Sequence, residues 1–173
     1  MRWIFATAGI ALVAVVLVKL DAAEAAVFSD GKPDGPFGSD KCMEVKGNDD
    51  KPGTAVIVDS CEAGPDQQFE FAGPDPGFVG KVPSGQTIYS QGGKRCLEVT
   101  NNSNVPGALV RIDDCKFDPG SLPGQQFYYK GGQIIYAKKP SLCFDEKRMS
   151  DGLDHVITNI CDPTSDSQQW QIK

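Results

Sequence analysis

Three carboxylates stand two residues beyond a cysteine: Glu44 after Cys42, Glu98 after Cys96 and Asp145 after Cys143. Three glutamines stand two residues before an aromatic ring: Gln67 before Phe69, Gln125 before Phe127 and Gln168 before Trp170. A carboxylate only accepts hydrogen bonds, whereas an amide donates and accepts. Each glutamine can therefore hold the acid of its own segment and the backbone beside it, which is how buried polar groups are satisfied. The chain has 6 cysteines. Each acid-bearing cysteine is followed at near-equal distance by a second one, Cys61, Cys115 or Cys161. Three near-equal spacings in similar frames predict one disulfide per segment, Cys42–Cys61, Cys96–Cys115 and Cys143–Cys161; bridges between segments are the alternative. In the chain-entropy picture each closure contributes about 3 kcal/mol.

Other chemistries have little material. His155 is the sole histidine, on an expected strand near Cys161, where a structural or solvent-facing role fits. One histidine among paired cysteines supports neither a zinc site nor a histidine-based nucleophile. The acidic stretches Asn48-Asp49-Asp50 and Ile112-Asp113-Asp114 lack EF-hand spacing and read as solvated turns. No pair of acids is singled out for glycoside hydrolysis. The expectation is no enzyme, no metal and no cofactor. A net charge of −6 without a Lys/Arg cluster argues against nucleic acid and anionic membranes as partners.

The acids and glutamines belong to a repeat. The first unit reads CMEV, GTAVIVDSC, DQQFEF; the second CLEV, GALVRIDDC, GQQFYYK; the third CFDE, LDHVITNIC, SQQWQIK. The β-branched runs 55–58, 108–112 and 155–160 read as strands, as do QFEF, QFYY and residues 86–90 and 133–137. Pro/Gly-rich stretches between them supply turns. No helical apolar period follows the first residues, so the chain is read as all-β, with about four short strands per unit. A unit alone buries too little apolar surface to be stable. Threefold packing around one core is expected, with Val56, Val58, Val110, Ile112, Val156, Phe69, Phe127, Trp170, Ile88 and Ile135 inside. Leu97, Met43 and Phe144 flank cysteines and are candidates for the core or its rim.

The start is different in kind. Arg2 precedes an apolar run from Trp3 to Val18, then Ala23-Glu24-Ala25. This reads as a secretory signal peptide, residues 1–25, cut after Ala25, leaving a domain 26–173 that is secreted and extracellular. The alternative is a membrane anchor, but the run is shorter than the roughly 20 residues of a span. Removal takes two basic residues, Arg2 and Lys19, and two acidic ones, Asp21 and Glu24, so the net charge of −6 is unchanged. Asn101-Asn102-Ser103 is a glycosylation sequon in an expected loop, so Asn101 carries a glycan if the cell of origin makes them. The long Pro/Gly loop 72–86 is a candidate contact surface.

The three Cys-x-acid and Gln-x-aromatic frames, locked to three cysteine pairs, resemble the ricin B-chain-like Q-x-W β-trefoil lectin family over residues 35–173. The resemblance implies a twelve-strand β-trefoil with one disulfide per repeat. It also implies up to three shallow pockets for glycans, either galactose-type sugars or polysaccharides such as xylan. In sugar-binding members an Asp after the first cysteine accepts sugar hydroxyls. A polar residue four before the second cysteine assists, an aromatic two before it stacks on the sugar, and an Asn precedes the Gln. Here the acidic position is Glu44, Glu98 and Asp145, and the Gln position Gln67, Gln125 and Gln168. The Asn position is Asp66, Gly124 and Ser167; the assisting position is Ile57, Arg111 and Ile157. The stacking position is Asp59, Asp113 and Asn159, with no ring in any unit. Tyr89, Tyr128, Tyr129, Tyr136 or Phe78 could replace it from a loop. The third unit, with Asp145, Asn159 and Gln168, is the best candidate pocket. The reading is a secreted, non-catalytic carbohydrate-binding protein with partly degenerate pockets. The alternative is a trefoil that binds a protein through loops 72–86 and 116–124. Because no strand follows the last Gln-x-Trp, residues 27–38 are expected to pair with the C-terminal strand and close the fold.

Overall fold

One disulfide closes in each unit, Cys42–Cys61, Cys96–Cys115 and Cys143–Cys161, as the spacing predicts. The structure is a computed structural model and describes residues 25–29, 41–62, 64–72, 85–90, 94–116 and 124–172. Residues 1–24, in which the signal peptide is expected, residues 30–40, Phe78, and most of loops 72–86 and 116–124 lie outside the described residues.

The described chain is built from β-strands and short 3-10 turns. The first unit holds β1 (Ala25–Ser29), β2 (Lys41–Val45), β3 (Val56–Ser60) and β4 (Gln68–Ala72). The second holds β5 (Thr87–Ser90), β6 (Arg95–Val99), β7 (Val110–Asp113) and β8 (Phe127–Lys130). The third holds β9 (Gln133–Tyr136), β10 (Leu142–Arg148), β11 (Asp154–Ile160) and β12 (Trp170–Ile172). All belong to one 12-stranded sheet.

The first and last strands of the units form a barrel. β1 pairs with β4, β4 with β5, and β8 with β9. A bridge between Gln86 and Phe127 joins β5 to β8. The Trp170 amide donates to the Gly132 carbonyl at 2.7 Å, joining β12 to the β8–β9 turn. Closure comes from β1 and β12, antiparallel with Val27 opposite Ile172 and Ser29 opposite Trp170. The expected pairing of the two ends is present at Val27–Ser29, and residues 30–38 of the expected segment lie outside the described residues. It leaves neither strand as an open edge.

The middle strands form three hairpins, β2–β3, β6–β7 and β10–β11. Each touches the next in a cycle. Ala55 bridges Arg111, Leu109 bridges Ile157, and His155 pairs with Ile57. Two of these junctions use the same bonds. The Gly53 amide donates to Ile112 O (2.8 Å) and the Gly107 amide to Thr158 O (2.6 Å). Both glycines have a φ near +90° (+92° and +89°), a conformation that side chains disfavour, which is why the tips carry Gly.

The core contains nine of the expected residues, all but Ile135. Met43, Leu97 and Phe144 are fully buried within it rather than at its rim. Ile135 is half-buried on the outer face of the barrel, and Ile134 and Tyr136 point inward instead. The cause is a slip of phase. Tyr89 pairs with Cys96, but Ile135 pairs with Cys143, so the connection from β9 to its cysteine is one residue longer. One residue of slip sends every side chain to the other face. Tyr136 is accordingly no substitute stacking ring: it is buried, and burial, then the charge of Glu98, pushes its hydroxyl up to about 12.

Candidate functional site

The three glutamines make one network three times. Gln67 Nε2 donates to Glu44 Oε2 (2.8 Å) and Ser60 O (2.8 Å), while its Oε1 accepts from the Glu62 amide (2.6 Å). Gln125 Nε2 donates to Glu98 Oε2 (3.0 Å) and Asp114 O (2.8 Å), and its Oε1 accepts from the Lys116 amide (2.8 Å). Gln168 Nε2 donates to Asp145 Oδ2 (3.1 Å) and Ile160 O (2.9 Å), and its Oε1 accepts from the Asp162 amide (2.8 Å). Short 3-10 turns, Pro65–Gln67 and Asp166–Gln168, deliver the first and third glutamines to this place. The ring two residues later is anchored in the core. Each amide thus ties the acid on one hairpin strand to the backbone on both sides of the second cysteine.

The stacking positions also behave alike. Asp59, Asp113 and Asn159 each turn an Oδ1 back onto the next backbone amide, at 2.7, 2.8 and 2.9 Å. Of the described tyrosines proposed as replacements, Tyr129 is spent at the barrel end, where its hydroxyl donates to Trp170 O (2.7 Å) and its ring meets Phe71 edge-on. Tyr89 and Tyr128 lie on barrel strands, opposite Cys96 and Ile135.

What distinguishes the units is the second carboxylate oxygen. In the second unit Glu98, 2% exposed, is saturated. Its Oε1 accepts from Arg111 Nη2 (3.1 Å), and its Oε2 accepts from Lys116 Nζ as well as Gln125. Arg111 also pairs with Asp113 (2.9 Å), so both polar residues of the expected pocket are consumed by an internal ion cluster. In the first unit Glu44 is only half-buried; burial raises its carboxyl above the usual range, partly offset by the Gln67 bond. Asp59 there pairs with Lys41 at 3.5 Å.

The third unit is unlike either. Asp145 is 7% exposed. Its Oδ2 accepts from both Asn159 Nδ2 (2.8 Å) and Gln168. Its Oδ1 is buried with no hydrogen-bond partner among the described residues. The structure thus brings Asp145, Asn159 and Gln168 together as expected, and leaves one acceptor unused.

Each site is walled by the neighbouring hairpin, which no single unit reveals. The register sets Glu44, Ile57 and His155 in one cross-strand row, Glu98, Arg111 and Ala55 in the second, and Asp145, Ile157 and Leu109 in the third. Directly opposite residues share a face. His155, expected as a structural or solvent-facing residue, is buried in the first row, and its Nε2 lies 2.9 Å from Asp151 Oδ2. The same oxygen accepts from Lys46 Nζ (3.2 Å), clamping the third hairpin to the first. The His155 bond, then the Leu153 amide and Lys46, hold the Asp151 carboxyl far below its usual range. Sequence reading missed Lys116 and Leu109; Lys116 was visible as a cation immediately after Cys115.

A β-trefoil carrying three carboxylate–glutamine sites, one per disulfide-closed repeat, is the architecture of a lectin domain. The profile of the ricin-type β-trefoil lectin domain matches residues 35–170, and the chain belongs to that family. Solved structures agree on the fold. The designed threefold-symmetric protein ThreeFoil is 20% identical, with a TM-score of 0.65 over 86% of this chain and 96% of that one. The C-half of an earthworm R-type lectin in complex with GalNAc is 14% identical, with a TM-score of 0.57 and the same coverages of 86% and 96%. A non-toxic homologue of type II RIPs from Momordica charantia (bitter gourd), in complex with α-methyl-D-galactoside, is 18% identical, with a TM-score of 0.59 over 86% of this chain and 46% of that one. Among curated protein sequences, none matches this chain.

Proposed function

We propose that this protein is a secreted, non-catalytic carbohydrate-binding protein whose sugar seat is the third unit. One observation supports the reading: Asp145 is buried and fixed by Asn159 and Gln168, yet its Oδ1 has no hydrogen-bond partner among the described residues. A buried acceptor without a donor costs free energy unless something supplies one, and a sugar hydroxyl is such a donor. Family membership supports the class of ligand. The GalNAc and galactoside bound by two structural neighbours favour a galactose-type sugar. The second unit does not take part, because Arg111 and Lys116 already occupy Glu98. The stacking position of this seat is Asn159, not a ring, so affinity is modest. Secretion is supported by the apolar leader with its Ala23-Glu24-Ala25 site and by the three disulfides, which persist in oxidising compartments.

A glycan array followed by titration of correctly oxidised protein tests this. Galactose-type or xylan-type glycans bind, and Asp145→Ala abolishes binding while the far-ultraviolet spectrum and melting remain those of a folded trefoil. Arg111→Ala does not abolish it. Failure of every glycan to bind at millimolar concentration defeats the proposal.

A further inference from the structure

Asn101 stands in the second unit where the first has Gly47. Both lie in the left-handed region, with φ +57° and +65°, which few side chains besides Asn and Asp enter readily. Asn101 is exposed, and its own amide makes no hydrogen bond among the described residues. Its neighbours are engaged. Asn102 Oδ1 accepts from the Gly124 amide, and Asn102 O from Lys138 Nζ (3.1 Å). Ser103 N donates to Thr100 O (3.2 Å), and Thr100 N and Oγ1 both donate to Leu109 O (2.9 and 2.8 Å). The turn is therefore fixed, and it presents outward the amide of the sequon Asn101-Asn102-Ser103.

Beside that amide the surface is hollow. An open space of about 420 Å³ is lined by Asn101 itself, by Thr100 and Ser103 of the same turn, and by Gly107, Ala108 and Leu109 leading into β7. That volume lies within the usual range for small-ligand sites, roughly 300–1,000 Å³. Gly107 puts no side chain into its neighbourhood, although a Cβ there would meet nothing within 4 Å. Leu109 offers an apolar wall to the C–H face of a pyranose. The Ser103 hydroxyl accepts from the Val105 amide (3.3 Å) and keeps its own proton to donate. Val105, in the same tip, is one of three large apolar side chains left exposed among the described residues. A group attached to Asn101 meets this hollow at high effective concentration, so weak contacts are enough to seat it.

We propose that Asn101 carries an N-linked glycan whose first N-acetylglucosamine lies in this hollow against Leu109. The donor is an oligosaccharide on a polyprenyl diphosphate. The bond from its C1 to the diphosphate oxygen breaks, the bond from C1 to Asn101 Nδ2 forms, and the amide proton leaves with the diphosphate. The seated sugar braces the tip of the second hairpin, which holds the third through Gly107 N and Thr158 O (2.6 Å). This rests on the secreted reading above and not on the sugar-binding one.

The test expresses the full chain in a eukaryotic secretory cell, with bare protein from the same cells under an inhibitor of glycan transfer. Peptide mass mapping finds the sugar on Asn101, and Asn101→Gln removes it. An endoglycosidase then trims the glycan to one N-acetylglucosamine. This form melts about 3 °C above the bare protein, and nuclear Overhauser contacts join the sugar to the Leu109 methyls. Leu109→Ala lowers both melting temperatures and abolishes the difference between them. An unmodified Asn101 overturns the inference, and where that protein is in the medium the secretion reading stands. A sugar on Asn101 that leaves melting unchanged and shows no contact with Leu109 also overturns it, as does a gain that persists in Leu109→Ala. Protein that carries the sugar but stays in the cell removes the secretion reading alone.

Discussion

Gln168 and Asp145 are joined by a hydrogen bond from Nε2 to Oδ2, and the same bond joins Gln125 to Glu98 and Gln67 to Glu44. The glutamine is thus a fastener before it is anything else. It holds the backbone on both sides of the second cysteine against the strand that carries the acid.

Gln168→Ala removes that bond and leaves the buried Asp145 Oδ2 with Asn159 alone, and the buried Gln133 Nε2 without its Gln168 acceptor. Lost bonds to buried groups cost about 1–3 kcal/mol where a partner is left unsatisfied, so a destabilisation of about 3 kcal/mol is expected. Urea unfolding of the oxidised protein measures it. Gln125→Ala is expected to cost less, because Glu98 keeps Arg111 and Lys116.

Arg111→Ala uncovers a buried carboxylate. Removing one member of a buried pair typically costs about 3–5 kcal/mol; with Lys116 still in place, about 2 kcal/mol is expected here. Glu98→Gln in the same background should recover part of that loss, because the orphaned charge is gone. A double-mutant cycle reads the coupling. A cycle with no coupling would show that the cluster is incidental.

Asp151 ties Lys46 to His155, and its carboxyl is held below the ordinary aspartate value of 3.8. A depressed folded-state value means stability that is present above the unfolded value and lost as pH falls through the folded one. Asp151→Asn should therefore melt below the parent at neutral pH. The gap should hold down to about pH 4 and close only in stronger acid. Melting temperatures of both proteins across pH 2–7 check it, and a gap that closes near neutrality would contradict the assignment.

Ile134→Ala removes a fully buried side chain and should cost about 3 kcal/mol. Ile135→Ala, half-buried on the outer barrel face, should cost about 1 kcal/mol or less. Denaturant midpoints of the two variants separate them.

That last pair marks a limit of sequence reading. Gln-Thr-Ile-Tyr and Gln-Ile-Ile-Tyr look like the same strand in the same phase, and the second isoleucine of the latter was the natural choice for the core. Only the pairing of Ile135 with Cys143 discloses the extra residue in the turn. The strands themselves and the three disulfides were readable because each rests on local pattern repeated three times, and the pairing of Val27–Ser29 with β12 because the third unit departs from that pattern. The acids and glutamines were readable from the repeat as well. Arg111 stood in view at a pocket position, but its closure of Glu98 needs Lys116 to arrive from beyond the cysteine. Leu109 and His155 were invisible as site walls. They act on a neighbouring unit, and contacts across units have no signature in a pattern read within one.

The cyclic contact of the hairpins gives the repeats an order. In a perfectly symmetric trefoil, any unit could follow any other. Here the clamp of Lys46, Asp151 and His155 can form only between the first and third units, and the Leu109–Ile157 bridge joins the second to the third. Shuffling the units would keep every strand and disulfide while scattering these contacts. The chain has therefore become a sentence rather than a chant: its threefold rhythm survives, but its parts no longer commute.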